Sequence, residues 1–198
     1  MPRPRLATDA EILMACFRVV ARVGHARLTL AAVAAECGVT APAVSKRYGH
    51  KRALLLAAVA DAAAGHALLF LTHRQRHRSP LRALLTLGEA LEILGATPAE
   101  VAHSLDFLQV DPADADFAEH ARIGARTFAT GIQTLVRDAI AARELRRVDV
   151  AGLSRMLQAT LFGSVRLWTL VGVGRLGAFV RVDLATALRA ARARGSGQ

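Results

Sequence analysis

Four cations, Lys46, Arg47, Lys51 and Arg52, fall within one short stretch, TLAAVAAECGVTAPAVSKRYGHKR (29–52), which also holds both lysines of the 198-residue chain. Clustered ammonium and guanidinium groups neutralise phosphates, and the same donors can reach the edges of bases. The formal net charge of the chain is +10, and residues 1–52 carry nine Lys/Arg against three Asp/Glu. A basic first segment suits a phosphate-backbone partner, but charge alone does not separate nucleic acid from an anionic membrane surface.

The elements that must position these cations make that separation. Leu30, Val33, Ala34 and Cys37 have the i, i+3, i+4, i+7 spacing of one buried helix face, with Thr29 placed to cap its start. Gly38 stands where a helix end needs positive φ. Thr40 has a side chain able to cap a second helix, in which Val44 and Tyr48, four apart, form the inward stripe. Pro42 and Lys46 then point outward, flanked by Ala43, Ser45 and Gly49. A preceding helix from Thr8 to Val23 supplies Ile12, Leu13, Cys16, Phe17 and Val20 to a three-helix core, closed by Gly24. Helix, Gly-containing turn, and a helix with a small, basic outer face are the helix-turn-helix plan for entering a major groove. Lys51 and Arg52 open a further helix to about His73. Cations there oppose the helix dipole, which is understandable where a DNA phosphate receives them.

The stretch resembles the DNA-binding domain of the tetracycline-repressor (TetR) family of bacterial transcriptional regulators. The resemblance rests on Gly24, Thr29, Val33, Ala34, Gly38, Val39, Thr40, Tyr48, Lys51 and Leu54, roughly a quarter of the chain being covered by the motif. Two positions depart from the family pattern: Ser45 stands where a phosphate-contacting Tyr is usual, and Tyr48 where Phe is usual. The resemblance implies an all-α protein, with an N-terminal three-helix DNA-binding domain (1–52) and a larger C-terminal effector-binding and dimerisation domain (53–198). It implies a homodimeric regulator, most simply a repressor released from a palindromic double-stranded operator by a small-molecule effector. An effector-independent or architectural DNA binder would use the same motif. The DNA-contacting set is then Thr40, Ala41, Pro42, Ala43, Ser45, Lys46, Arg47, Tyr48 and Lys51, with Arg52 as a further phosphate contact. Lys46 is the chief donor. A basic arm containing Arg3 and Arg5 could lie along a minor groove.

The rest of the chain reads as helices with legible starts. Ser79-Pro80, Thr97-Pro98-Ala99-Glu100 and Asp111-Pro112 are cap signatures. They predict helices near 80–95, 98–109, 113–145, 149–171 and 178–193, the longest breaking near Gly124 or Gly131. In 149–171, Leu153, Leu157, Thr160, Leu161, Ser164 and Trp168 make one face and Ala159, Gly163 and Leu170 a second. Two apolar faces imply two packing partners, one within the chain and one on another subunit. In the family the last two helices of each subunit form the dimer interface, which 149–171 and 178–193 fit. The effector pocket is expected from His66, His103, Phe107, Phe117, Phe128, Met156 and Trp168, with ordinary core filling as the competing role.

Other motifs carry no chemistry. Gly172-Val-Gly174-Arg-Leu-Gly177 spells G-x-G-x-x-G, but a helix precedes it rather than the required parallel strand, so it reads as an inter-helix turn and no cofactor is expected. His73-x3-His77 could bind a divalent metal, but HRQRHR reads more simply as a solvated cationic helix end, and no metal site is expected. Cys16 and Cys37 read as buried, free and inert. No Ser/His/Asp arrangement, nucleophile elbow or P-loop is present, so nothing points to an enzyme. No signal peptide is apparent. The most apolar run recognised, LFGSVRLWTLVGVG, is 14 residues with an Arg inside, too short to span a bilayer. A cytoplasmic location without membrane contact is the expectation.

Overall fold

The computed structural model describes residues 7–108 and 114–192. Arg3 and Arg5 of the expected arm, the Asp111-Pro112-Ala113 helix start and the tail beyond Arg192 lie outside the described residues. The described chain is helical: α1 (Asp9–Val23), α2 (Leu30–Cys37), α3 (Ala41–Tyr48), α4 (Lys51–Gln75), α5 (Pro80–Leu85), α6 (Leu87–Ala90), α7 (Pro98–Leu108), α8 (Ala115–Ala141), α9 (Val150–Val171) and α10 (Leu176–Leu188). Short 3-10 turns cover Leu91–Leu94 and Arg189–Ala191. Among the described residues there is no strand, only the isolated bridge Leu145–Arg192. Two compact units form, Met1–Ala63 with Leu94–Ile123, and Ala64–Ile93 with Gly124–Gln198. The sequence-based division falls after residue 52; compact packing instead divides α4 after Ala63 and places α7 with α1–α3.

In the first unit the helix starts and stops follow from local chemistry. Thr8 and Glu11 form a reciprocal capping box: Thr8 Oγ1 accepts from Glu11 N at 3.2 Å, and Thr8 N donates to the Glu11 carboxylate at 2.8 Å. Thr29 Oγ1 accepts from Ala32 N at 3.1 Å. Gly38 takes φ 71°, ψ 31°, the left-handed conformation that ends α2 without a Cβ penalty. The core holds Ile12, Cys16, Val19, Val20, Leu28, Val33, Val44, Leu54, Ala58 and Phe107. Helix α7 packs on α1: Phe107 meets Phe17 edge-on at 5.6 Å, and the His103 Nδ1–H donates to Ala21 O at 2.9 Å.

In the second unit the expected helix 80–95 is instead two short helices and a 3-10 turn. Thr86 Oγ1 donates back to Arg82 O at 2.8 Å, offering the backbone a side-chain alternative to helix propagation. Gly88 follows closely, where a Cβ would come within 2.7 Å of Val180. Helix α8 runs unbroken through Gly124 and Gly131. Gly131 makes room for the Phe70 ring, since a Cβ there would lie 2.3 Å from it. Asp149 caps α9, accepting from Ala151 N at 3.0 Å, and Gly172 ends it at φ 67°. The last helix begins at Leu176 and passes into the 3-10 turn after Leu188, rather than running 178–193.

Helix α4, not the 161–174 stretch, is the helix among the described residues long and apolar enough to cross a membrane, with mean hydropathy 2.0. Its Leu54, Leu55, Ala58 and Val59 are buried in the first unit's core, whereas Leu68 and Leu71 are exposed.

Candidate nucleic-acid interface

Helix α3 presents the face that its sequence pattern predicts. Val44 is fully buried, whereas Pro42, Ala43, Ser45, Lys46 and Arg47 are exposed and Ala41 is half-buried. Thr40 is exposed and makes no side-chain capping bond, so its expected cap is absent. The first turn is held instead by the backbone, through Ala43 N to Thr40 O at 3.0 Å, with Pro42 supplying a helical φ. Ser45 Oγ donates to Gly49 O at 3.3 Å. Tyr48 is half-buried rather than fully inward, and its hydroxyl donates to Asp9 Oδ1 at 3.2 Å. Burial, then the Asp9 carboxylate, pushes the phenol up to about 12.

The four cations are not equivalent. Arg47 Nη1 donates to Ala7 O at 2.6 Å and lies 3.3 Å from Asp9 Oδ1. Lys51 Nζ donates to Ala26 O at 2.6 Å. One Arg52 nitrogen, Nη2, lies 2.8 Å from oxygens of both Asp114 and Asp116, and the Arg52 guanidinium sits 5.5 Å from the Phe117 ring centroid. Lys46 alone of the four has no hydrogen-bond or ion-pair partner among the described residues. Beside α2, Glu36 is shared by Arg18 at 2.8 Å and Arg22 at 3.0 Å, and those hydrogen bonds hold its carboxyl below the usual range. Much of the first unit's positive charge is therefore already compensated within the unit.

The seven residues expected to line an effector pocket divide between the two units. His103, Phe107 and Phe117 belong to the first, where Phe107 and Phe117 are core side chains and His103 holds the end of α1. Helix α7, which carries His103 and Phe107, packs against α1. His66 and Phe128 do meet in the second unit. His66 Nδ1–H donates to Gly124 O at 3.1 Å, its ring stands edge-on to Phe128 at 5.4 Å, and burial lowers its pKa. Phe70 and Phe162 complete the cluster, 4.8 and 5.1 Å from Phe128. Phe70 escaped the sequence reading although it lies four residues beyond His66, one helical turn on the same face. Met156 is exposed. Trp168 is buried and its Nε1–H donates to Gly174 O at 3.2 Å, tying down the Gly-rich turn. Two clefts, one beside Met14, Arg18, Glu36 and Cys37 and one beside Ile140, Arg143, Leu145 and Arg147, are lined by none of the seven.

His73 is buried, not part of a solvated end. Its Nε2 lies 3.0 Å from Ala83 O and 3.3 Å from Thr86 Oγ1, and His77 Nε2 lies 3.1 Å from the same hydroxyl. Among the described residues no three His, Cys, Asp or Glu side chains gather so as to hold a metal. Cys16 is buried and desolvation pushes its thiol up to about 12; Cys37 is half-buried, with Sγ 3.1 Å from Val33 O. Both are free.

Three helices with a glycine turn between the second and third, the third turning small and basic residues to solvent, define a helix-turn-helix protein. Residues 12–58 match the family described as bacterial regulatory proteins, tetR family. No curated protein matches the sequence. Among solved structures, the transcriptional regulator FadR from Bacillus subtilis in complex with stearoyl-CoA aligns at TM-score 0.69 and 13% identity, over 91% of this chain and 97% of that one. SmeT, the repressor of the Stenotrophomonas maltophilia multidrug efflux pump SmeDEF, aligns at TM-score 0.68 and 22% identity, over 97% and 94%. A SmeT–triclosan complex aligns at 0.68 and 20%, over 98% and 95%. The chain shares the all-helical fold of these structures.

Proposed function

We propose that this chain is a cytoplasmic, ligand-responsive transcriptional regulator that acts as a homodimeric repressor, released from a palindromic operator by a small molecule. The observation that carries the DNA reading is the outer face of α3: exposed, small-residued, and centred on a lysine with no partner among the described residues. Lys46 donates to base edges or phosphates. Thr40, Ala41, Pro42, Ala43 and Ser45 make close contacts, and Arg47, Tyr48 and Lys51 lie on the phosphate side. All three also tie α3 and α4 to neighbouring backbone and side chains, so their contribution includes holding the recognition helix in place.

The second face of α9 supports dimerisation. Ala159, Phe162, Gly163, Leu167 and Leu170 are exposed, whereas Leu157, Leu161, Ser164 and Trp168 of the first face are buried within the protomer. Val182 of α10 is 66% exposed. Such an apolar surface suits a second copy. Two recognition helices of a dimer would then enter successive major grooves about 34–36 Å apart.

For an effector, the His66–Phe70–Phe128–Phe162 cluster supports an apolar or aromatic ligand, and the stearoyl-CoA and triclosan complexes of the related folds are consistent with that class. The dispersal of His103, Phe107 and Phe117 into the first unit favours the alternative of an effector-independent binder. A gel-shift titration with DNA flanking the gene, repeated against a panel of hydrophobic small molecules, decides between them. Release by a panel member supports the repressor mechanism; binding that no member weakens supports the alternative.

A further inference from the structure

Arg52 occupies the first turn of α4, directly after Lys51, where the helix dipole favours an arriving phosphate. Its own guanidinium is nevertheless engaged. Nη2 lies 2.8 Å from Asp114 Oδ1, 2.8 Å from Asp114 Oδ2 and 2.8 Å from Asp116 Oδ2, with the Phe117 ring 5.5 Å from the guanidinium carbon. Asp114 also caps α8: its carbonyl accepts from Ala118 N at 2.9 Å, and its Oδ1 from Asp116 N at 3.2 Å. Both carboxylates therefore sit at a helix start that stabilises negative charge. Two carboxylates against one guanidinium leave a local excess of one negative charge beside the start of α4.

We propose that Asp114 and Asp116 form an electrostatic latch that withholds Arg52 from the DNA backbone and so sets the chain's affinity for duplex DNA; this rests on the DNA-binding reading above. The latch is tuned rather than closed. The side chains are 49% exposed for Arg52, 29% for Asp114 and 59% for Asp116, so solvent and salt weaken the pair and a phosphate can compete for the guanidinium. The hydrogen bonds from Arg52 hold the Asp114 carboxyl below the usual carboxylate range, so the latch persists through neutral and mildly acidic pH. Lys46 needs no such release, and the chain therefore engages DNA first through α3 and recruits Arg52 only where a phosphate outcompetes the two carboxylates.

The test is a double-mutant cycle read by fluorescence anisotropy on a short random-sequence duplex over a range of salt. Asp114→Asn/Asp116→Asn in the full chain should bind about three- to tenfold more tightly than wild type, with a salt slope steeper by about one. Arg52→Gln alone should change affinity by less than about twofold, because the wild-type guanidinium is already engaged, and it should abolish the gain when added to the Asn pair. Asp116→Asn alone keeps the α8 cap and gives a smaller gain of the same sign, so the idea stays testable if the double variant unfolds; circular dichroism establishes folding in each case. The proposal is overturned if the Asn variants bind no better than wild type, or if their gain survives Arg52→Gln, since removal of negative charge alone would then explain it. Lys46→Ala separates the two levels. Weakened binding by Lys46→Ala with no gain from the Asn variants sinks the latch alone, whereas a wild-type chain that binds no duplex at low salt sinks both.

Discussion

The two units leave opposite kinds of surface unfinished. In the first, the large exposed hydrophobics among the described residues are Met14 and Ile123, the core is closed around Val44 and Phe107, and Lys46 has no partner among the described residues. In the second, Leu68, Leu71, Ile93, Met156, Phe162, Leu167, Leu170, Val171, Val173 and Val182 are all exposed, half of them along α9. An apolar face left in water is costly in proportion to its area, whereas a solvated ammonium is not. On the reading proposed above, the first unit is a finished fold with an anion-seeking tip and the second a fold that gains from a second copy, two surfaces whose complements do not compete.

The largest expected effect breaks the comparison on its apolar side. Gly163→Arg introduces a charge where a side chain meets nothing within 4 Å in the protomer, so it should leave the monomer folded and prevent self-association. Losing the second recognition helix should weaken operator binding by about 10²-fold or more, and sedimentation should show monomers. A dimer that survives this substitution and Leu167→Glu together would place the self-interface elsewhere.

Next comes Gly131→Ala. Gly to Ala within a helix ordinarily stabilises by roughly 0.5–1 kcal/mol, but here the new Cβ would meet Phe70 at 2.3 Å, and overpacking costs about 1–3 kcal/mol. Denaturant unfolding should therefore show a loss of stability, and the sign is the test.

A smaller effect is set by pH. Burial lowers the pKa of both His66 and His73 from the ordinary 6.5, and in the case of His73 the positive neighbours His77 and Arg76 add to the lowering while Glu89 and the Ala83 carbonyl oppose it. The unfolded chain then takes up protons first as pH falls through 6.5, so stability present above that value is lost below it. The carboxyls held low, Glu36, Glu100 and Asp114, lose their contribution only in a lower window, below the ordinary carboxylate values near 4. Thermal unfolding should show the midpoint dropping between about pH 7 and pH 5. A midpoint that holds or rises over that range contradicts the buried-imidazole account.

The smallest contrast lies between two threonines. Thr29 caps α2 through its hydroxyl, so Thr29→Ala should cost about 1 kcal/mol. Thr40 makes no such bond, and Thr40→Ala should cost clearly less in chemical denaturation. Equal losses would mean that both hydroxyls cap in solution.

Legibility in the sequence followed the range of the interactions. The bounds of α1–α4, the left-handed Gly38 and the inward Val44 were readable because each depends on residues within a turn or two. Thr29 and Thr40 look alike as caps, and only the backbone geometry at each start separates them. The engagement of Arg47 and Tyr48 by Asp9, of Lys51 by Ala26, and of Arg52 by Asp114 and Asp116 joins residues 25 to 64 apart, which no local pattern encodes. The packing of α7 on α1, which sets His103 and Phe107 among the side chains of the first unit, is of the same kind. Thr86 was missed for another reason: an apolar helical rhythm runs through 80–95, and the hydroxyl that interrupts it is supported by two histidines from α4 and the turn after it.

The central claim is that Lys46, the cation of α3 without a partner among the described residues, binds DNA. Its most direct test is an equilibrium titration of wild type and Lys46→Ala against duplex spanning the region upstream of the gene, with a random duplex as reference. The account predicts that wild type binds, and that Lys46→Ala, still folded and still dimeric, loses about 1–3 kcal/mol, roughly 5- to 150-fold. Wild-type protein indifferent to every duplex at low salt, or a variant that binds as tightly as wild type, would contradict it.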